Sequence, residues 1–191
     1  MKLETWFSTP VWYDFLNIDI ESMKAYCLEL ETQSAGQHKS NQGGWHSDDL
    51  ILDDHPPFHT LKSELIRSLH DVSKEIHPNF QVEISNIWII INRGNAYNSS
   101  HFHPQSALSG VVYISSNEKS GNLNFFRDGL KEHYPIKTWG SPLFIDDVFY
   151  KPEPAKLIIF PSWIRHSVDG SDDQMPRISI AFNTNQINLN K

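Results

Sequence analysis

The spacing of apolar residues predicts two helices in the N-terminal part of the chain. Over residues 18–31 they recur at helical intervals, at Met23, Tyr26, Cys27 and Leu30. A second helix is predicted to start near Pro57 and to end before Pro78, since proline is tolerated in a first turn and disfavours helix in the residue before it. Its apolar stripe consists of Leu61, Leu65, Leu69 and Val72.

From residue 80 onward the pattern changes to short runs rich in β-branched and aromatic residues, which are typical of strands. The predicted strands are 82–92, 108–114, 122–126, 144–150, 156–160 and 177–183, with a further short edge strand over 5–16. Between the elements we predict loops or turns at 34–44, 94–100, 115–121 and 161–165, and an irregular segment at 127–142.

Two helices followed by about seven strands predict an α+β domain built on a β-sandwich. The length of 191 residues suits one domain with a sizeable core, so residues 1–191 are expected to form a single domain. We expect the two helices to pack together against one outer face of a sheet.

Charge and composition narrow the function classes. The net charge of −7 and the scattered basic residues argue against a nucleic-acid surface. Cys27 is the single cysteine, so no disulfide forms within the chain. The N-terminus lacks an apolar signal region, and no apolar run approaches the roughly 18 residues of a membrane helix. These features predict a cytoplasmic protein without a membrane partner.

The first candidate metal ligands are His101 and His103. On an extended strand, residues two apart point to the same face, so the two imidazoles can reach one point in space. Such a pair suits Fe, Zn, Ni or Cu. His166 is a third candidate, because it follows an apolar strand and a tight turn.

Arg177 and Ser179 lie two apart in the last predicted strand, among apolar residues. An inward-facing arginine requires a carboxylate partner. Because no Asp or Glu of the chain is evidently committed to Arg177, a bound small-molecule dicarboxylate is the expected partner.

Taken together, these segments resemble the Fe(II)/2-oxoglutarate-dependent oxygenases, in particular a family with a prolyl-4-hydroxylase-like arrangement. The matching segments are Ser40–Trp45 (SNQGGW), Asn98–Tyr113 (NSSHFHPQSALSGVVY), Phe160–Val168 (FPSWIRHSV) and Arg177–Asn183 (RISIAFN). The order and spacing of the segments carry the resemblance, which covers about residues 40–183.

The resemblance implies a double-stranded β-helix (jelly-roll) core over about residues 80–185. It also implies an iron site that includes His101 and His166, with no catalytic residue beyond the metal ligands. Arg177, with Ser179 and Tyr113, would hold the distal carboxylate of 2-oxoglutarate. The implied reaction is oxidative decarboxylation of 2-oxoglutarate coupled to hydroxylation of a small-molecule or peptidyl substrate. Further pocket candidates are Asn92, Asn98, Gln105 and Trp163.

The sequence departs from the family pattern at His103, where most such enzymes have Asp or Glu. With His103 as a ligand the site has three neutral imidazoles and is more positive by one charge; Asp128 is the alternative third ligand. We favour His103, because the spacing of two residues requires no special loop.

Two other functions remain open from the sequence. One is a cupin-like three-histidine dioxygenase that needs no keto acid. The other is a non-catalytic jelly-roll binding module with a structural Zn. The sequence predicts neither the substrate nor the oligomeric state.

Overall fold

The computed structural model describes residues 2, 8–127, 145 and 147–187. Within them lie the helices α1 (Ile20–Gln33) and α2 (His59–Ile76), with short 3-10 helices at Leu52–Asp54 and Pro56–Phe58. The strands, in chain order, are β1 (Trp12–Phe15), β2 (Asn41–Gln42), β3 (Trp45–His46), β4 (Val82–Asn92), β5 (Tyr97–His101), β6 (Leu108–Ser115), β7 (Leu123–Phe126), β8 (Asp147–Tyr150), β9 (Lys156–Pro161), β10 (Arg165–Val168) and β11 (Arg177–Gln186).

Both predicted helices are present. Helix α1 begins after Asp19, whose side chain accepts a hydrogen bond from the Ser22 amide at 3.2 Å and so satisfies a free N–H of the first turn. Helix α2 begins at His59, two residues beyond Pro57, because residues 56–58 adopt a 3-10 turn first. The apolar stripe predicted for α2 is buried along its whole length.

The strands form two antiparallel sheets, which confirms the α+β class. The major sheet has the order β1-β9-β6-β11-β4-β3, and the minor sheet has the order β2-β5-β10-β7-β8. In the major sheet β11 pairs with both β4 and β6, so these three long strands form its centre.

Side chains along the central strands of the major sheet point alternately to its two faces, and the two faces have different surroundings. On one face, Ile89, Ile180 and Val112 join the buried residues of α1 and α2 in one apolar cluster. On the opposite face, Tyr113 packs with Phe160 and with Phe125 of the minor sheet. Because both faces are covered, these strands read as nearly continuous apolar runs in the sequence.

The remaining differences from the predicted elements concern short strands. The segment 94–100 is predicted as a turn, but Tyr97–His101 forms β5. Strand β10, Arg165–Val168, begins at the last residue of the predicted turn 161–165. The predicted loop 34–44 contains β2. The segment predicted as irregular is 127–142, and its residues 128–142 lie outside the described residues. Among the described helices, none is long and apolar enough to cross a membrane.

The helix–sheet packing predicts a sharp contrast between neighbouring residues of α2. Leu65 is fully buried, whereas Ile66 is 55% exposed. We expect Leu65→Ala to lower the free energy of unfolding by about 2–5 kcal/mol through the lost burial and the cavity left behind. Ile66→Ala should change it by about 0.5 kcal/mol or less. Urea denaturation of both variants checks this; equal effects would contradict the described packing.

Candidate metal centre and adjoining cavity

Three histidines converge where β5 and β10 pair. In this antiparallel pair His166 lies directly opposite His101, so both side chains project from the same face of the minor sheet. Their ring centroids are 4.3 Å apart, and each lies 5.0 Å from the ring centroid of His103. One nitrogen from each ring falls within 4.8 Å of the other two, which is a separation that a single ion can bridge.

His103 reaches the cluster from just beyond the end of β5. Its backbone amide donates to the carbonyl oxygen of Ser162 at 2.9 Å, which fixes the segment after the strand. The position of the His103 ring therefore does not depend on the strand alternation assumed from the sequence. The His103 ring also lies against Trp88 of the major sheet, with centroids 6.0 Å apart.

Hydrogen bonds set the tautomers of two of the rings. Nδ1 of His101 lies 2.7 Å from the carbonyl oxygen of Ser99, and Nδ1 of His166 lies 2.9 Å from that of Ile164. A carbonyl only accepts, so each Nδ1 carries the hydrogen and each Nε2 keeps a free lone pair. Such a bond is the usual orienting contact of a metal-binding histidine.

Burial keeps the three imidazoles neutral. It lowers the pKa of His166 to about 3 and that of His103 to about 4, in each case with a further contribution from the neighbouring His101. It also lowers the pKa of His101, although the hydrogen bond to Ser99 opposes the shift. Metal binding requires neutral imidazoles, so near pH 7 the cluster is in the form that binds a cation.

Arg177 lies at the start of β11 and is only 4% exposed. One terminal nitrogen, Nη1, donates to the carbonyl oxygen of Gly121 at 3.0 Å, whereas Nε is buried and has no hydrogen-bond partner. Burial lowers its pKa, and the nearby Tyr113 and Asp169 oppose that shift. No described carboxylate forms an ion pair with Arg177, so the guanidinium fits an anionic ligand.

Ser179 and Tyr113 lie beside Arg177 on the same side of the major sheet. They face each other across the β11–β6 pair, and each is 1% exposed. Burial raises the pKa of the Tyr113 hydroxyl to about 12, so the hydroxyl remains protonated and able to donate a hydrogen bond.

One cavity of about 840 Å³ between the two sheets joins these groups; it is lined by the three histidines, Arg177, Ser179 and Tyr113 among others. Of the four further candidates from the sequence, only Asn98 lines it. Asn92 instead donates from Nδ2 to Oδ1 of Asn98 at 3.1 Å, and Trp163 is 63% exposed. Asp128, the alternative ligand, lies outside the described residues.

Sequence reasoning did not single out three other residues that line the cavity: Asn86 and Trp88 of β4, and Asn183 of β11. The signal that could have identified them is the alternation of side-chain direction within each strand. Asn86 and Trp88 share the face opposite Ile87 and Ile89, and Asn183 lies on the same face as Arg177 and Ser179.

The fold is similar to that of solved 2-oxoglutarate oxygenases. A prolyl-4-hydroxylase from Pseudomonas putida aligns with 95% of this chain and 95% of its own, with 11% identity and a TM-score of 0.69. A viral collagen prolyl hydroxylase from Paramecium Bursaria Chlorella virus-1, solved with 2OG, aligns over 93% and 96%, with 10% identity and a TM-score of 0.64. A prolyl hydroxylase from Trichoplax adhaerens, bound to a peptide fragment of hypoxia inducible factor, aligns over 91% and 82%, with 13% identity and a TM-score of 0.64.

The two antiparallel sheets enclose a cluster of three histidines that could hold a metal ion. A family model described as "Putative 2OG-Fe(II) oxygenase" matches residues 86–183, more than half of the 191-residue chain. The chain belongs to this family, and its cofactors are Fe(II) and 2-oxoglutarate. No curated protein matches the sequence.

The burial of His166 predicts a pH dependence of stability in the metal-free protein. Its pKa is about 3 in the fold and about 6.5 in an unfolded chain, so the unfolded state binds the extra proton in between. Stability is therefore lost as the pH falls below about 6.5, and His166 alone accounts for about 2 kcal/mol between pH 7 and pH 5.

Urea denaturation of chelator-treated protein at the two pH values measures this loss. His166→Gln should reduce it, and His70→Gln, a matched change at an exposed position on α2, should not. An unchanged pH dependence in His166→Gln would contradict the buried neutral imidazole.

Proposed function

We propose that His101, His103 and His166 hold Fe(II) and that the protein hydroxylates a substrate while it decarboxylates 2-oxoglutarate. The observation that carries the proposal is the combination, in one cavity, of three oriented neutral imidazoles with a buried guanidinium whose Nε lacks a partner. A cation site and an anion site in a shared cavity match a ligand that is chelated at one end and ion-paired at the other.

Arg177 is the proposed partner of the distal carboxylate of 2-oxoglutarate. A carboxylate there would accept from Nε, the donor that the protein leaves unsatisfied. Ser179 and the protonated Tyr113 hydroxyl would supply further donors to the same group. Arg177 is only 4% exposed, so little bulk water would screen this ion pair.

Bound iron would supply the activation of dioxygen that couples decarboxylation to substrate oxidation. In this reaction one oxygen atom would enter succinate, with release of carbon dioxide, and the other would enter the hydroxylated product. The chain's own contribution is orientation: the carbonyls of Ser99 and Ile164 hold two rings with Nε2 free, and Arg177 fixes the direction of the keto acid.

Two alternatives receive less support. A three-histidine dioxygenase without a keto acid leaves the Arg177 guanidinium without a ligand. A closed structural zinc site requires a fourth protein ligand, and among the described residues no further His, Cys, Asp or Glu joins the cluster.

We also propose that residues 1–191 form one domain, with a double-stranded β-helix core over about residues 80–185 and both helices packed on one sheet. The two antiparallel sheets and the aligned relatives support this. A small-molecule or peptidyl substrate fits the cavity of about 840 Å³. The single, buried and free Cys27 supports the proposed cytoplasmic location.

Removal of the Arg177 side-chain charge should strongly weaken 2-oxoglutarate binding. The protein is loaded with Ni(II) to prevent turnover. We expect Arg177→Leu to raise the Kd for 2-oxoglutarate at least about a hundredfold, because a buried charge pair is lost. Arg67→Leu, at a half-exposed position on α2, should leave the Kd unchanged. Isothermal titration calorimetry measures both; wild-type affinity in Arg177→Leu would refute the assignment.

The third ligand can be tested at His103. We expect His103→Ala to weaken Fe(II) binding about 10- to 100-fold or more, and His103→Asp to retain it, because a carboxylate is an equivalent ligand for this metal. Competition with a fluorescent chelator under anaerobic conditions gives the affinities. Unchanged Fe(II) affinity in His103→Ala would remove His103 from the site and favour another group, such as Asp128.

A further inference from the structure

The cavity face of the major sheet is arranged in successive rows across the strands. Arg177 faces Asn92 at one end, and Ser179 then lies between Ile90 and Tyr113. The third row contains Trp88, Ala181 and Val111, and the fourth contains Asn86, Asn183 and Ser109. Asn183 lies six positions after Arg177, which corresponds to about 20 Å along an extended strand.

The histidine cluster lies nearer the fourth row than the Arg177 end. The His103 ring contacts Trp88 of the third row. The His103 amide donates to the carbonyl of Ser162, and the Ser162 hydroxyl is hydrogen-bonded to Ser109 of the fourth row at 2.8 Å. A ligand that extends from Arg177 to the histidines would end beside the third row, where His103 contacts Trp88, and would leave the fourth row for another molecule.

The fourth row presents two side-chain amides side by side. Asn183 and Asn86 face each other directly in the β11–β4 pair, and both line the cavity. Oδ1 of Asn183 accepts from Ser109 at 2.7 Å, and Oδ1 of Asn86 accepts from Ser85 at 3.3 Å. With both oxygens engaged and no described partner for either Nδ2, the two NH₂ groups remain available as donors.

Two features of the lining point to a neutral acceptor rather than an ionised one. On β4, β11 and β6 the fourth row contains only amides and a hydroxyl, so it provides no counter-charge for an anion. Lys39 and Asp49 also line the cavity, but their opposite charges contribute no net charge. Trp88, buried and stacked against His46 with the ring planes 8° apart, provides a flat wall beside the amides.

We propose that Asn86 and Asn183 form the substrate-recognition site and that they donate hydrogen bonds to the carbonyl oxygen of an amide group in the substrate. This assignment rests on the proposed function, since it takes the Arg177 end as the 2-oxoglutarate site. It gives the substrate a chemical class, namely a peptide or another neutral amide. Ser109 acts as a positioning residue, because its hydroxyl fixes the orientation of the Asn183 amide.

The test uses a panel of N-acetyl amino-acid N′-methylamides and the corresponding N-acetyl amino acids, which end in a carboxylate. Binding to the Zn(II)-loaded protein saturated with 2-oxoglutarate is measured by ligand-observed NMR. We expect methylamides to bind more tightly than their carboxylate counterparts. Asn86→Ala and Asn183→Ala should each weaken methylamide binding about five- to tenfold, the loss expected for one hydrogen bond.

The control is Asn185→Ala, the same substitution on the same strand at an exposed position outside the cavity. It should leave methylamide binding unchanged, and all three variants should keep the wild-type Kd for 2-oxoglutarate. If Asn183→Ala does not fold, Asn86→Ala decides alone, since its amide is not part of the Ser109 hydrogen bond.

Equal binding of methylamides and carboxylates, no methylamide binding, or unchanged binding in Asn86→Ala would overturn this inference while 2-oxoglutarate still binds. Failure of the wild-type protein to bind 2-oxoglutarate at all would instead refute the proposed function.

Discussion

The candidate site depends on the antiparallel pairing of β5 with β10. This pairing places His166 opposite His101, although 65 positions of sequence separate them. Cross-strand neighbours have a fixed separation and project to the same side, so the register alone brings the two rings within reach of one ion. A shift of the register by one residue would turn one of the rings to the other face of the minor sheet and remove the site.

The two faces of the major sheet have different surroundings. Side chains on one face of its central strands share one buried apolar cluster with α1 and α2, and this apolar burial provides most of the stabilisation. The opposite face is therefore free to carry groups that would be costly elsewhere, such as the buried Arg177 guanidinium. A carboxylate of bound 2-oxoglutarate would offset part of that cost, so 2-oxoglutarate binding would also stabilise the fold.

Much of the fold could be predicted because its long elements have clear periodicity. The apolar stripe of α2 and the β-branched run of β4 gave their positions closely, and Val82–Asn92 was predicted to the residue. The short strands β5 and β10 could not be predicted. Their polar residues and low intrinsic strand propensity carry no pattern, and only pairing with neighbours from distant parts of the chain makes them strands.

The site could be predicted only in part, because some of its contacts depend on strand pairing. The spacing of two residues pointed to His101 and His103 as a pair, but His103 reaches the cluster through the Ser162 contact rather than through strand geometry. The amides of Asn86 and Asn183 were missed, since an asparagine in an apolar strand gives no chemical signal until the register of both strands is known. Residue identity thus indicated the metal chemistry, and topology was needed to find what surrounds it.

The most direct measurement is a crystal structure of the protein grown anaerobically with Fe(II) and 2-oxoglutarate, with the metal located by anomalous scattering at the iron edge. We expect one iron bonded to Nε2 of His101 and His166 and to a ring nitrogen of His103, with the distal carboxylate of 2-oxoglutarate on the Arg177 guanidinium. Iron bound away from these nitrogens, or a 2-oxoglutarate molecule that does not contact Arg177, would contradict the proposed site.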